Sequence, residues 1–258
     1  MANVFDDAAD SYDAVRPGYP GELFKDISRL TRLGQGARVL EVGCGTGQAT
    51  LEFARRGYTV LCVEPGRSLL DLAKRKLIGF PVEFRASRFE DWPLEEGMFD
   101  LVASGTAWHW VDADIGFRKA AAALKPGGFI ALFWNLHPTP YKGFFEDVQR
   151  IYRELVPEWR GPDARQTAGQ RIDEIGRQIS ASNHFEEPAV KLYSWTRAYC
   201  SGDYVKLLDT YSDHRALPED RRSRLYREIK QMIDERYGGW VERPYLTALF
   251  LASGKESS

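Results

Sequence analysis

The sequence has few cysteines, no long apolar run and no excess of positive charge. Its three cysteines, Cys44, Cys62 and Cys200, are an odd number without C-x-x-C spacing, which argues against a disulfide framework and a zinc site. No apolar stretch approaches the roughly 20 residues that cross a bilayer. Residues 1–7 lack a basic segment followed by an apolar one, so no signal peptide is predicted. We therefore expect a cytoplasmic protein with no membrane contact.

The charge balance gives no sign of a surface for nucleic acid. The net charge is −2 and the isoelectric point is near 6.1. A basic cluster at 221–230 is better explained as the solvated face of a helix, because the same segment carries an apolar stripe at helical spacing. The 43% hydrophobic content over 258 residues supports one α/β domain with insertions.

The most informative stretch is 38–47, which reads Arg-Val-Leu-Glu-Val-Gly-Cys-Gly-Thr-Gly. It predicts a short buried strand, a glycine turn and then a helix. Such a turn lets a ligand approach backbone N–H groups at a helix N-terminus, and a Cβ would block that approach. A nucleotide-type ligand is therefore expected here.

The spacing of this turn differs from that of a dinucleotide fingerprint. Gly43, Gly45 and Gly47 follow the pattern G-x-G-x-G, not G-x-G-x-x-G. Glu41 lies at the strand end, where its carboxylate would repel a pyrophosphate and suit a cationic ligand group. The alternative is an ordinary tight turn in which Glu41 pairs with a nearby arginine.

Strand and helix signals alternate along the first half of the chain. Strands are predicted at 38–43, 58–63, 82–85, 99–104 and 129–134, and helices at 22–33, 47–56, 69–77 and 114–124. Beyond residue 135 the pattern predicts helices at 143–156, 165–181, 202–210 and 218–236, with strands at 188–199 and 244–252. The early strands are apolar on both faces, which indicates a parallel sheet covered by helices on each side.

Glu64 ends the second predicted strand. A carboxylate at that position can accept hydrogen bonds from the two hydroxyls of a ribose. The alternative is a solvated acid before the turn at Pro65.

These motifs together resemble the class I S-adenosylmethionine-dependent methyltransferases. The resemblance rests on Glu41 to Gly47, Glu64, Phe99-Asp-Leu-Val and Leu124-Lys-Pro-Gly-Gly. It implies a Rossmann-like, mostly parallel seven-stranded sheet of order 3-2-1-4-5-7-6 with the last strand antiparallel. It also implies one domain over 1–258, whose core is about 21–135 plus the strands near 188–199 and 244–252. The insertions at about 136–185 and 201–240 would form a helical lid.

Further motifs are similar to the trans-aconitate methyltransferase-like, type 11 branch. They are Tyr12-Asp-Ala-Val-Arg-Pro-Gly-Tyr-Pro, Phe89-Glu-Asp-Trp-Pro, Ala107-Trp-His-Trp-Val-Asp and Thr210-Tyr-Ser. The resemblance implies methyl transfer from S-adenosylmethionine to a small-molecule acceptor, with oxygen of a carboxylate or hydroxyl expected to receive it. Enzymes of this fold that methylate base amino groups usually carry Asn/Asp-Pro-Pro after the fourth strand, where this chain has Ser104-Gly-Thr-Ala-Trp. We expect no nucleic-acid partner and a monomer or homodimer.

The resemblance also implies which residues bind the cofactor. Tyr12 would lie near the sulfonium and Arg16 near the methionyl carboxylate, although a surface helix is the alternative for this segment. Phe89 would stack on adenine, with core packing beside Trp92 equally open. The predicted cofactor contacts are Tyr12, Arg16, Glu41, Gly43, Cys44, Gly45, Gly47, Glu64, Pro65, Phe89, Glu90 and Ser104.

The acceptor is expected at the aromatic loop after the fourth strand and in the lid. His109 could remove a proton from a nucleophile, or could be a structural residue under the lid. The predicted acceptor contacts are Tyr19, Trp108, Trp110, Tyr211, Ser212 and His214, with no metal. A nicotinamide-dependent oxidoreductase and a non-catalytic module that binds S-adenosylmethionine remain as alternatives.

Overall fold

The computed structural model describes residues 13–138, 142–159 and 166–255. The strands in it are β1 (Arg38–Val42), β2 (Thr59–Val63), β3 (Val82–Arg85), β4 (Phe99–Gly105), β5 (Leu124–Leu136), β6 (Ala189–Cys200) and β7 (Trp240–Ser253). The helices are α1 (Gly21–Thr31), α2 (Gln48–Ala54), α3 (Arg67–Lys76), α4 (Ala113–Ala123), α5 (Phe144–Leu155), α6 (Ala168–Ala181), α7 (Ser201–Asp209), α8 (Ser212–Arg215) and α9 (Glu219–Arg236). Trp108–Trp110 form one turn of 3-10 helix. None of the described helices combines the length and apolarity that crossing a bilayer requires.

The strands form one sheet of order β3-β2-β1-β4-β5-β7-β6, which confirms the predicted topology. Neighbours from β3 to β5 run parallel, and β7 runs antiparallel to both β5 and β6. The strand order reverses between β1 and β4. Since their carboxyl ends meet at one edge, the crevice where such sheets bind ligands lies there.

Helices cover both faces of the sheet, which explains the apolar character of its central strands. On one face, α1 packs Phe24 against Phe53 of α2 and Phe133 of β5. On the other face, Phe117 of α4 packs against Phe185 in a core that includes Phe250. Central strands such as β1 therefore have no solvated side.

Residues 142–159 and 201–236, here called the lid, form a separate apolar cluster. Helices α5, α7 and α9 bury Phe144, Tyr204 and Leu225 in it, and Val241 and Tyr245 of β7 join them. The predicted apolar stripe of α9 is buried here, while Arg224 on its outer face pairs with Glu228. Burial of that stripe fixes the lid to the end of the sheet.

Several sequence-based boundaries need correction. Helix α6, which was predicted as part of the lid, lies against the sheet, because Ile175 and Ile179 join the core around Phe117. Helix α3 begins at Arg67, after the extended Gly66 and two residues before its predicted start at 69. Strand β5 already begins at Leu124, five residues before the predicted start at 129. Its pairing with β4 shifts register between Phe99 and Leu101. Periodicity reports local burial and does not reveal which distant surface a helix covers.

Candidate functional site

A cavity of about 1020 Å³ lies at the carboxyl ends of the parallel strands, under the lid. One side is formed by the glycine turn, the ends of β1 and β2 and the loops after β3 and β4. The other side is formed by lid helices and the start of β7. The predicted site residues that line it are Arg16, Tyr19, Glu41, Gly43, Cys44, Gly45, Glu64, Pro65, Phe89, Glu90, His109, Trp110, Tyr211, Ser212 and His214.

The glycine turn has the geometry that glycine alone adopts readily. Gly43, Gly45 and Gly47 have φ angles of +73°, +55° and +81°. A Cβ on Gly43 would lie 2.4 Å from the Cβ of Ala107, so the loop after β4 passes directly against the turn. A Cβ on Gly45 would meet no atom within 4 Å, which leaves open space beside its backbone. The turn at 43–47, here called the glycine cradle, therefore has room for a bound nucleoside.

Glu64 holds the cradle together. Its Oε2 accepts a hydrogen bond from the Gly45 N–H at 3.0 Å, and its Oε1 accepts one from the Gly66 N–H at 2.8 Å. The side chain is only 7% exposed. A carboxylate has about four lone-pair sites, so each oxygen can also accept from a ribose hydroxyl. These acceptor oxygens therefore fit the ribose hydroxyls of an adenosyl group.

Glu41 is buried at the cavity floor. Its Oε2 accepts a hydrogen bond from the Thr50 hydroxyl at 2.6 Å, and only 1% of the residue is exposed. Burial, assisted by the nearby charge of Glu64 and opposed by the Thr50 bond, raises the pKa of Glu41 to about 7. Among the described residues no arginine pairs with Glu41, so the structure does not contain the pairing expected for an ordinary turn.

Replacing Glu41 with glutamine is expected to remove a pH dependence of stability. The folded-state pKa near 7 lies above the ordinary value of 4.5, so the folded state holds this proton more tightly than the unfolded state. Stability therefore falls as pH rises from 4.5 through 7, by about 3 kcal/mol. Urea unfolding of the ligand-free protein between pH 5 and pH 8 measures the difference between wild type and Glu41→Gln. Parallel stability curves for the two proteins would contradict an elevated pKa.

The segment before α1 connects the glycine turn to the lid. The Thr46 hydroxyl donates to Asp13 at 2.6 Å, and the Gln48 amide donates to the backbone carbonyl of Arg16 at 3.2 Å. Arg16 itself donates to the hydroxyl and carbonyl of Thr210 in the lid, at 2.8 and 3.0 Å. Arg16 therefore borders the cavity while holding a lid corner. Tyr12 lies outside the described residues.

Phe89, in the loop after β3, both packs in the core and faces the cavity, which are the two environments that the sequence left open. Phe89 is 3% exposed and stacks on Trp92 at 6.1 Å, yet it also lines the cavity. Glu90 accepts hydrogen bonds from Arg88 at 2.9 Å and from the Asp112 N–H at 3.2 Å. Glu90 thus ties this loop to the start of α4 while it borders the cavity.

Three predicted contacts do not face the cavity. Ser104 is fully buried and donates to the carbonyl of Val42 at 2.8 Å, which joins β4 to β1. Trp108 is 4% exposed and packs 5.9 Å from Phe89 in the core. Gly47 is the N-cap of α2, and a Cβ on it would lie 2.9 Å from Leu77 Cδ1. These positions support the fold around the site and do not contact a ligand in the cavity.

His109 and Trp110 remain at the mouth of the cavity. The indole Nε1–H of Trp134 donates to Nδ1 of His109 at 3.4 Å. Burial, with a smaller effect of Arg171, lowers the pKa of His109, so the ring is neutral near pH 7. Tyr19 lies on the same side and donates to the Thr106 hydroxyl at 3.0 Å.

The lid contributes an aromatic wall around His214. The His214 ring lies 4.8 Å from the Trp159 ring, and its Nε2 is 3.0 Å from the Tyr152 hydroxyl. Its Nδ1 lies 2.8 Å from the Asp213 carboxylate, which sets the orientation of the ring. His214 is therefore a buried part of the wall, whereas Tyr211 and Ser212 border the open space.

Sequence reasoning missed several residues of the lid side. They lie in α5, α7 and β7 or follow β5 and α5, and are His137, Phe145, Tyr152, Trp159, Tyr204, Arg243 and Tyr245. The only local signal for Arg243 was a charged residue next to a predicted apolar strand. Within the described part of the chain, no group of His, Cys, Asp and Glu side chains is arranged to hold a metal ion.

Comparison with known proteins agrees with this geometry. A family model described as a methyltransferase domain matches residues 39–128. An uncharacterized methyltransferase of Schizosaccharomyces pombe is 25% identical over 229 residues, covering 88% of this chain and 85% of that protein. The matched domain contains the glycine turn, Glu64 and the loop with Phe89.

Solved structures share the fold. One is a putative type II methyltransferase from Anaeromyxobacter dehalogenans, with a TM-score of 0.62 and 23% identity over 93% of this chain and 96% of that one. Another is the phosphoethanolamine N-methyltransferase 2 of Haemonchus contortus in complex with S-adenosyl-L-methionine, with a TM-score of 0.55 and 17% identity over 97% of this chain and 57% of that one. At these identities the likeness shows the fold alone.

The family match, the relatives and the glycine cradle closed by Glu64 agree on one cofactor, S-adenosylmethionine. The chain is therefore an S-adenosylmethionine-dependent methyltransferase whose methyltransferase domain matches the family model over residues 39–128.

Proposed function

We propose that this enzyme transfers the methyl group to an oxygen of a small organic acceptor held under the lid. The supporting observation is the single cavity of about 1020 Å³ that joins the glycine cradle to an aromatic compartment. Ligand pockets generally enclose about 300–1,000 Å³, so this cavity has room for the cofactor and a small acceptor together. The trans-aconitate-like motifs around Trp110 and Tyr211 agree with a small acceptor.

S-adenosylmethionine, when bound, supplies a methyl group already activated by the sulfonium. The protein then has to bind, orient and exclude water. Gly45 and Glu64 orient the nucleoside, while Tyr152, Tyr204 and Tyr211 enclose the acceptor side. Positioning of this kind supplies up to about 7–11 kcal/mol of barrier reduction, so a general base is optional.

The hydrogen bond from Trp134 bears on the role of His109. An indole N–H only donates, so Nδ1 of His109 accepts and the proton of the neutral ring resides on Nε2. Nε2 therefore donates a hydrogen bond in this state and cannot take a proton from an acceptor. We therefore propose that His109 orients the oxygen of the methyl acceptor by donating a hydrogen bond to it. This role replaces that of a general base, which the sequence left open.

Replacing His109 with glutamine is expected to preserve catalysis. The glutamine amide can still donate to an acceptor oxygen, so kcat should stay within about tenfold, whereas loss of a true base costs roughly 10²–10⁴. His109→Ala, which removes the donor, should raise KM more than it lowers kcat. Steady-state kinetics with an identified acceptor measure both values. A fall in kcat beyond about 100-fold in both variants would restore the base role.

A screen for release of S-adenosylhomocysteine tests the proposed reaction. The enzyme and S-adenosylmethionine are incubated with fractionated metabolite extracts, and Glu64→Ala serves as the inactive control. We expect release that depends on one fraction and a product carrying a methyl ester or methyl ether. Methylation of nitrogen would contradict the choice of oxygen. Cofactor binding without release from any fraction would favour a non-catalytic binding module.

A further inference from the structure

Arg243 is a cation inside the lid side of the cavity whose donors are mostly unused. Its Nε is buried and has no hydrogen-bond partner. One guanidinium N–H reaches the Tyr204 hydroxyl at a long 3.4 Å. Over residues 13–138, 142–159 and 166–255, no carboxylate forms a salt bridge with Arg243. A guanidinium carries five N–H donors, so this group is poorly satisfied by the protein alone.

The rings around the Arg243 guanidinium are aromatic. The guanidinium lies 5.3 Å from the ring centre of Tyr245, 5.7 Å from that of Phe145 and 5.9 Å from that of Tyr211. These ring faces attract a cation but leave its N–H donors free. Burying an unpaired guanidinium among aromatic rings costs free energy, and a bound anion would offset that cost.

The register of β6 and β7 adds a second arginine to the same face. Arg197 is directly opposite Arg243, and like charges in opposed positions repel each other. Arg197 donates to the backbone carbonyls of Arg16 and Ala14, at 2.7 and 2.9 Å. Of these two arginines, Arg243 lines the cavity.

On these contacts we propose that Arg243 binds a carboxylate of the acceptor, so that the substrate of the methyltransferase is an organic acid. The proposal rests on the proposed function, because it takes the lid side of the cavity as the acceptor compartment. The planar fork of arginine matches the two oxygens of a carboxylate.

The chemistry of the wall favours a carboxylate over a phosphate. His137 lies near Arg243, and burial together with the charge of Arg243 lowers the pKa of His137 to about 4. The imidazole is therefore neutral near pH 7 and adds no charge for a dianion. Arg243 thus offers one full charge and a bidentate fork at this position, which suits a monoanion.

The position of Arg243 separates the bound carboxylate from the methylated oxygen. Leu246 of β7 pairs with Leu136, the last residue of β5, and Arg243 lies three residues beyond that pair. Three residues of strand extend about 10 Å past the end of β5. The glycine turn lies further back, at the level of Phe133 and Leu249. The acceptor therefore carries a second oxygen, on a hydroxyl or another carboxylate, and its methylated product remains an anion.

Calorimetry on the full chain loaded with S-adenosylhomocysteine tests the carboxylate site directly. The probes are benzoate and glutarate, each beside its uncharged amide, and phenyl phosphate. We expect the carboxylates to bind and the amides to bind roughly 30-fold or more weakly. The affinity of Arg243→Met for the carboxylates should fall by a similar factor, while its affinity for S-adenosylhomocysteine is unchanged. Arg150→Met, an exposed arginine of α5 outside the cavity, is the matched control.

Two further measurements make the outcome decisive. Because Arg243→Met removes an unpaired charge, its Tm should equal or exceed that of wild type, and Arg243→Lys should retain part of the binding. The anion-exchange fractions of the metabolite screen should contain the acceptor, and its methylated product should still bind the exchanger.

The proposal is overturned if no carboxylate binds, or if the amides or phenyl phosphate bind as tightly as the carboxylates. It is also overturned if Arg243→Met has a lower Tm than wild type and still binds the carboxylates. An acceptor found in a neutral or cationic fraction also overturns it. Carboxylate binding through Arg243 without methyl transfer in any fraction would instead contradict the proposed function and leave the anion site intact.

Discussion

Replacing Glu64 with alanine is expected to lower the affinity for S-adenosylmethionine by at least about 100-fold. The variant loses two acceptors for ribose hydroxyls, and a hydrogen bond to a charged group contributes about 1.5–3 kcal/mol. It also frees the N–H groups of Gly45 and Gly66, which Glu64 now holds at 3.0 and 2.8 Å. Calorimetric titration with S-adenosylmethionine measures the loss.

Two variants separate this effect from a general loss of structure. Glu64→Gln keeps the size of the side chain, but its amide NH2 would face one of the two backbone N–H donors, so a large loss is expected here too. Glu96→Ala removes an exposed acid outside the cavity and should bind like wild type. An affinity of Glu64→Ala within about threefold of wild type would mean that Glu64 has only a structural role.

Replacing Gly43 with alanine is expected to destabilise the protein strongly. The new Cβ would lie 2.4 Å from the Cβ of Ala107, and the φ angle of +73° is unfavourable for alanine. Overpacking and strain together cost about 2–4 kcal/mol. At the size of this chain that corresponds to a fall in Tm of roughly 5–10 °C. Differential scanning calorimetry of the ligand-free protein measures it.

The matched variant Gly45→Ala distinguishes packing from binding. Gly45 has a φ of +55°, but a Cβ there meets no protein atom within 4 Å. Its Tm should fall by only about 2–4 °C, whereas its cofactor affinity should fall because the methyl group enters the open cradle. Combining Gly43→Ala with Ala107→Gly should recover part of the lost Tm. Equal falls in Tm for Gly43→Ala and Gly45→Ala would contradict the contact with Ala107.

The sequence predicted the cofactor side of the site better than the acceptor side. Glu41, the glycine turn and Glu64 lie on one strand–turn–helix and the next strand, so short-range patterns were enough to bring them together. Ser104 and Trp108 lie close in sequence to His109 and Trp110, which line the cavity, yet their own side chains are buried in the core. A loop sequence does not report which of its aromatic residues is buried, because that depends on Phe89 and Phe117 from other elements.

The glycine spacing, the alternation of strands and helices, and the acids at 41 and 64 determined the family and the cofactor from the sequence alone. They could do so because each depends on local backbone geometry and short-range periodicity. Only the tertiary structure decided that Glu41 has no arginine partner among the described residues, that α6 covers the sheet, and that the glycine turn packs on Ala107. It also brought Arg243, Tyr211 and His137 together from elements far apart in the chain. Such contacts arise when the lid buries its apolar cluster, and no pattern within one segment encodes them.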